Sequence, residues 1–196
     1  MRAGRNPEEI KLIAVTKTVP PERIMEAIEA GLRVFGENRV QEARDKIPEI
    51  TRKCPGINIS WHMIGPLQRN KVKYAVKLFE LIHSVDSIEL ALEINKQAEK
   101  IGKVQEILIE VKLSHEETKH GIMPEDLFEL LKECLSLKNI NVKGLMTVPP
   151  YSENPEDSRP YFQRLRKLLE EATSRGYGLK ELSMGMSGDF EIAIEE

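Results

Sequence analysis

Lys17 closes the apolar run Lys11–Lys17 (KLIAVTK) and is followed by Thr18, Val19, Pro20 and Pro21. Burial at a strand end disfavours a charged ammonium and frees a neutral amine, which can attack an aldehyde and form a Schiff base. The competing role is a lysine that snorkels out of the strand end into solvent. Ser187 and Gly188 stand between a strand-like run and a helical pattern, where free N–H groups would suit an anion such as phosphate. The same residues would serve ordinary capping, with Ser187 as N-cap and Asp189 in the first turn, and an inward Asp189 would repel phosphate. His62 and His83 are candidate acid–base groups. His62 alternates with apolar residues beside Trp61, a pattern that favours a hydrogen-bonded structural histidine. His115 and His120 form no recognisable ligand pair, and Cys54 and Cys134 have no metal-site spacing.

These residues must be positioned by elements that alternate along the chain. β-rich runs are expected at Lys11–Lys17, Val34–Glu37, Ile57–Gly65, Leu81–Asp86, Gln105–Lys112, Asn141–Val148 and Glu181–Ser187. Helical patterns separate them at Glu22–Ala30, Gln41–Ile47, Lys71–Lys77, Ser87–Ile101, Pro124–Leu135 and Tyr161–Ser174, and a last helix begins at Asp189. Strict alternation implies parallel strands joined by helical crossovers. Runs apolar on both faces, such as LIAV and EILIEV, fit strands buried on both sides. The first run enters Lys-Thr-Val-Pro-Pro rather than a Gly-rich turn, so a β/α barrel is favoured over a nucleotide-binding open sheet. Barrel sites lie at the C-terminal strand ends. Those ends carry Lys17, Glu37-Asn38, Trp61-His62, His83-Ser84 with Asp86, Met146-Thr147, Ser183–Asp189, and the loop residues Glu116, Glu117, Lys119 and His120.

Composition narrows the function further. The 196 residues are 40% hydrophobic and 31% charged, enough apolar material for a globular core. A net charge of −3 argues against a dedicated nucleic-acid binder. The basic stretch Arg69, Lys71, Lys73 and Lys77 therefore reads as a solvated helix face. No apolar run approaches membrane-spanning length, and Met1 to Glu9 is no signal peptide, so a cytoplasmic protein with reduced thiols is expected. One number is awkward: a complete eight-stranded barrel typically takes about 250 residues.

The polar rim resembles one family. AVTKT at Ala14–Thr18, FGEN at Phe35–Asn38, QE at Gln41–Glu42, WHMIGPLQRNK at Trp61–Lys71, HSVD at His83–Asp86, GLM at Gly144–Met146 and LSMGMSGD at Leu182–Asp189 occur in the order seen in pyridoxal phosphate homeostasis proteins. The resemblance implies a TIM-type (β/α)8 barrel of the alanine racemase N-terminal-domain type. It further implies that Lys17 holds pyridoxal 5′-phosphate (PLP) as a Schiff base and that Ser187 helps hold its phosphate. Asn38, His83 and Met184 would lie near the cofactor. The function implied is cofactor carriage within vitamin B6 and amino-acid homeostasis, without efficient turnover and with PLP-dependent apo-enzymes as partners.

Departures from the family pattern set further expectations. The chain stops at Glu196, before the segment that usually supplies an eighth strand, an arginine near the pyridine nitrogen and a Gly-Thr turn at the phosphate. A helix usual before the stretch matching Gly4–Pro7 is absent, and Lys112 stands where asparagine is common. The expectation is one barrel domain over residues 1–196, incomplete at its C-terminus with about seven strands. Its exposed edge would favour a homo-oligomer or a local rearrangement. Two other readings stay open: a PLP-dependent amino-acid racemase, and a shortened barrel that has lost the cofactor.

Overall fold

The structure is a computed structural model that describes residues 3–114, 116 and 119–196; the expected rim residues His115 and Glu117 lie outside the described residues. Strands and helices alternate throughout: β1 (Ala14–Val15), α1 (Pro21–Glu29), β2 (Val34–Glu37), α2 (Val40–Lys53), β3 (Ser60–Met63), α3 (Val72–Leu78) and β4 (Leu81–Val85). They continue as α4 (Ile88–Glu99), β5 (Gln105–Glu110), α5 (Leu127–Cys134), β6 (Ile140–Met146), α6 (Arg159–Ser174), β7 (Glu181–Ser183) and α7 (Phe190–Glu195). Among the described residues the seven strands pair in chain order, every pair parallel. β7 does not pair with β1, so the sheet curls into an open half-barrel. This is the α/β barrel expected from the alternation, incomplete as the departures from the family pattern implied.

Alternation of side chains across each strand sorts the core into two layers. Phe35, Trp61, Ile82, Ile107, Ile109 and Leu145 pack outward against buried helix residues such as Ile24, Ile28, Ile47 and Ile94. Leu81, Leu108 and Met146 form a smaller cluster on the opposite, inner face. The helices bury one stripe each because their apolar residues recur at helical spacing, as with Leu127, Leu130, Leu131 and Cys134 on α5. Glycine is required where β6 meets β7: a Cβ on Gly144 would lie 1.8 Å from the Glu181 carbonyl oxygen.

Three local expectations are corrected. α2 does not stop before Pro48 but runs to Lys53. Proline there removes one helical hydrogen bond, and burial of Ile47 and Ile50 on either side holds the turn in place. The strands are shorter than the apolar runs, because pairing lasts only while a neighbour is alongside; β1 keeps two residues. The last helix starts at Phe190, with Asp189 rather than Ser187 at its N-cap position. At the open seam, side chains bridge what strands do not: Lys11 Nζ lies 2.7 Å from Glu181 Oε1, and Arg5 donates to the Glu196 carbonyl at 2.7 Å. Among the described residues no helix is long and apolar enough to cross a membrane. Both cysteines are free thiols.

Candidate functional site

Parallel strands place all their C-terminal ends on one side, and Lys17 stands there, two residues beyond β1. Its side chain is exposed, which corrects the expectation of a low-dielectric setting. What is buried is the support beneath it. Thr18 adopts φ +62°, the left-handed region that costs an ordinary residue about 1–2 kcal/mol. Its N–H donates to Glu42 Oε1 at 2.7 Å, and the Val19 N–H donates to the Thr16 carbonyl at 3.0 Å. Lys46 Nζ, buried beneath the turn, donates to the Thr16 carbonyl at 2.7 Å, to Glu37 Oε1 at 2.9 Å and to Glu42 Oε1 at 2.7 Å. Thr16 Oγ1 also donates to Glu37 Oε1, at 2.7 Å. The buried amine thus ties the end of β2 and the first turns of α2 to the segment that carries Lys17. The hydrogen bond from Lys46, followed by that from the Thr18 N–H, holds the Glu42 carboxyl below the usual carboxylate range against a partial desolvation cost.

Asn38 follows β2 directly and packs on Gly65, where a Cβ would come within 2.4 Å of the Asn38 carbonyl oxygen. Ser84 Oγ donates to the Gly65 carbonyl at 2.6 Å, so β4 fixes the turn on which Asn38 rests. Met184 follows β7 and is half-buried. The next residue, Gly185, has φ +89°, and a Cβ there would strike Ala193 and Phe190. Asp189 is turned inward: Oδ1 accepts from the Met186 N–H at 2.6 Å and Oδ2 from Ser158 Oγ at 2.7 Å. Its charge is therefore occupied within the fold. Ser187 is exposed, and among the described residues no backbone acceptor meets the Ser187 or Gly188 N–H.

His83 lies a layer lower, buried inside the half-barrel. It belongs to a chain of hydrogen bonds. Ser60 Oγ and His62 Nε2 are 3.1 Å apart, His62 Nδ1 and His83 Nε2 3.0 Å, and His83 Nδ1 and Ser183 Oγ 2.8 Å. Desolvation pushes His62 down to about 4 and His83 down to about 3, so both rings are neutral at neutral pH. The chain opens into a cavity of about 190 Å³ at the N-terminal mouth of the barrel, lined in part by Lys11, Glu106, Lys143 and Glu181. Closer to the C-terminal rim, burial and then the neighbouring Asp86 charge push Glu110 up to about 7, with Lys119 opposing. Among the described residues no group of three or more His, Cys, Asp or Glu side chains could hold a metal ion.

Lys17, Asn38, Met184 and Ser187 thus share the C-terminal side of the sheet, while His83 forms part of the floor. Sequence reasoning placed Glu37 at a strand end without giving it a partner and did not single out Thr16, Thr18 or Lys46. The i, i+4 spacing of Glu42 and Lys46 was the one available signal. A threonine in the left-handed region has no sequence signature.

The fold and site together define a class. The alanine racemase N-terminal-domain family matches residues 2–195. At the level of fold alone, the alanine racemase of Clostridium difficile 630 superposes with a TM-score of 0.73 at 18% identity, over 96% of this chain and 48% of that one. Within that class, the pyridoxal phosphate homeostasis protein of Aquifex aeolicus (strain VF5) is 53% identical, over 100% of this chain and 84% of its own. PipY of Synechococcus elongatus PCC7942, solved with PLP bound, superposes with a TM-score of 0.88 at 37% identity, covering 98% of this chain and 89% of its own. Its PLP-free structure gives 0.90 at 38% identity, over 96% and 87%. The chain belongs to the pyridoxal phosphate homeostasis protein family.

Proposed function

We propose that this protein holds PLP reversibly on Lys17 and acts in PLP homeostasis rather than in amino-acid turnover. The observation that carries the proposal is the exposed Lys17 on a turn held from beneath by Glu42 and Lys46. The residues present fit the group. Lys17 offers an accessible amine, the Ser187 and Gly188 N–H groups, which meet no backbone acceptor among the described residues, suit phosphate, and Gly185 keeps the intervening backbone close to α7. Asn38 and Met184 would flank the ring, with His83 in the floor below. PLP supplies an electrophilic aldehyde conjugated to an electron-withdrawing ring. The Lys17 amine condenses with that aldehyde carbon, and the aldehyde oxygen leaves as water carrying both amine hydrogens. Exposure of Lys17 keeps water and an incoming amine within reach, which favours exchange of the cofactor, including delivery to apo-enzymes.

The test is to mix the purified protein with PLP and record the visible absorbance of the lysine-bound cofactor, then repeat with Lys17→Ala. Absorbance in the parent that is lost in the variant supports the reading. No absorbance in the parent, or full absorbance in Lys17→Ala, overturns it. Racemisation of alanine by the loaded protein would replace carriage with catalysis.

A second copy of the chain is the proposed partner at the open seam. Among the described residues β1 and β7 each leave an edge without a strand, and Leu12 before β1 and Val15 within it are 66% and 47% exposed. Unpaired edges flanked by apolar side chains favour association.

A further inference from the structure

We infer that Glu42 and Lys46 are positioning residues for the Lys17 amine, and that they act by holding Thr18 in a left-handed conformation it would otherwise leave. The inference rests on the reading of Lys17 given above and adds the physical device that aims it.

A β-branched residue at φ +62° is a rare and unfavourable state. It persists only where surrounding groups over-determine it. Here one carboxylate oxygen does so: Glu42 Oε1 accepts from the Thr18 N–H and from Lys46 Nζ, each at 2.7 Å. A hydrogen bond to an ionised acceptor is worth more than one between neutral groups. The carboxylate is itself fixed, because Lys46 is anchored at the Thr16 carbonyl and at Glu37, whose side chain is 0% exposed. The strain is therefore carried by a rigid pair rather than by the loop. Thr18 Oγ1 donates to the Lys17 carbonyl at 2.6 Å, which passes the constraint to the residue bearing the amine. Without the Glu42 acceptor, Thr18 relaxes toward negative φ and the Lys17 Cα–Cβ direction turns with it. The amine then samples many directions, and its reaction with an aldehyde slows, because orientation supplied by the fold is lost.

Glu42→Ala removes the acceptor but leaves Lys46 paired with Glu37 and the Thr16 carbonyl, so the variant retains its fold. Glu42→Gln keeps a neutral acceptor oxygen. Asparagine tolerates the left-handed region, so Thr18→Asn in the Glu42→Ala background restores the turn by another route.

Two readouts apply: amide hydrogen exchange at Thr18 in the cofactor-free protein, and the rate at which Lys17-dependent absorbance grows on mixing with PLP. In Glu42→Ala, Thr18 exchange rises and the absorbance rate falls, each by about tenfold. Glu42→Gln falls between the parent and Glu42→Ala. Glu42→Ala/Thr18→Asn recovers the absorbance rate to within about threefold of the parent, with amide exchange at position 18 still faster than in the parent. An unchanged absorbance rate in Glu42→Ala overturns the inference, as does a loss that Thr18→Asn leaves unrescued, which would mark a general loosening. Absence of any Lys17-dependent absorbance in the parent instead overturns the PLP reading, and Thr18 exchange then tests the conformational hold by itself.

Discussion

His62 Nδ1 lies 3.0 Å from His83 Nε2 inside the half-barrel, with Ser60 and Ser183 closing the chain at its two ends. Both rings are neutral, so in each contact one partner donates and the other accepts. The chain therefore has two concerted arrangements, one with every donor pointing toward Ser60 and one with every donor pointing toward Ser183. Protonation of either ring breaks the pattern, because a charged imidazole is a donor at both nitrogens.

That relationship sets the pH dependence of stability. His62 falls from 6.5 unfolded to about 4 folded and His83 to about 3, so the unfolded chain binds more protons below pH 6.5. Their contribution is complete above pH 6.5 and is lost as pH falls toward 4 for His62 and toward 3 for His83, at up to about 1.4 kcal/mol per pH unit for each ring. Glu110 acts in the opposite direction: raised from 4.5 to about 7, it favours the folded state below pH 4.5 and loses that contribution as pH rises to 7. Between pH 6.5 and 5 the two histidines outweigh the one carboxyl. Urea unfolding should show stability falling across this window, and falling more steeply in Glu110→Gln. A flat profile in both proteins would contradict the assignment.

Removing the buried amine should be costly. Lys46→Met leaves the fully buried Glu37 carboxylate with Thr16 Oγ1 as its one remaining hydrogen-bond donor among the described residues. Destabilisation of about 3–5 kcal/mol is expected from an uncompensated buried charge. Lys46→Met/Glu37→Gln removes that charge and should recover part of the loss. Denaturant unfolding of the single and double variants measures the coupling.

The docking of β7 should depend on the absence of a single methyl group. In Gly144→Ala the added Cβ meets Glu181 backbone atoms rather than a side chain that could turn away. A loss of about 3 kcal/mol or more is expected, beyond ordinary overpacking. Because Ser183 and Met184 ride on β7, the same variant should also weaken cofactor retention, measured by dialysis of the loaded protein.

At the open seam, the proposed association predicts a concentration-dependent dimer in sedimentation equilibrium. Leu12→Glu should shift the population toward monomer, because it places a charge on the apolar border of β1. A monomer at all concentrations in both proteins would rule this partner out.

Much of the architecture was legible from residue order. Apolar runs in alternation with helical stripes specify parallel strands, since both signals are local periodicities. Lys17 and Ser187 were legible as strand-end candidates because parallel strands all end on one side, whereas Asn38 and Met184 were joined to them only by the family resemblance. The path of α2 through Pro48 was not legible, because burial of Ile47 and Ile50 outweighs a local helix breaker. Nor was the cap at Asp189, whose partner Ser158 is distant in sequence.

By itself the sequence determined the order of strands and helices, the placement of Lys17 at the C-terminal end of the first apolar run, and the kinship carried by its motifs. Only the tertiary structure decided that Lys17 is exposed while Lys46 beneath it is buried, that Thr18 is held in a strained turn, and that His62 and His83 join in one chain. The reason is physical. Periodicity along a chain encodes which face of an element is buried. Charge pairing, strain and desolvation depend on which elements meet, and that is fixed by contacts between residues far apart in the sequence.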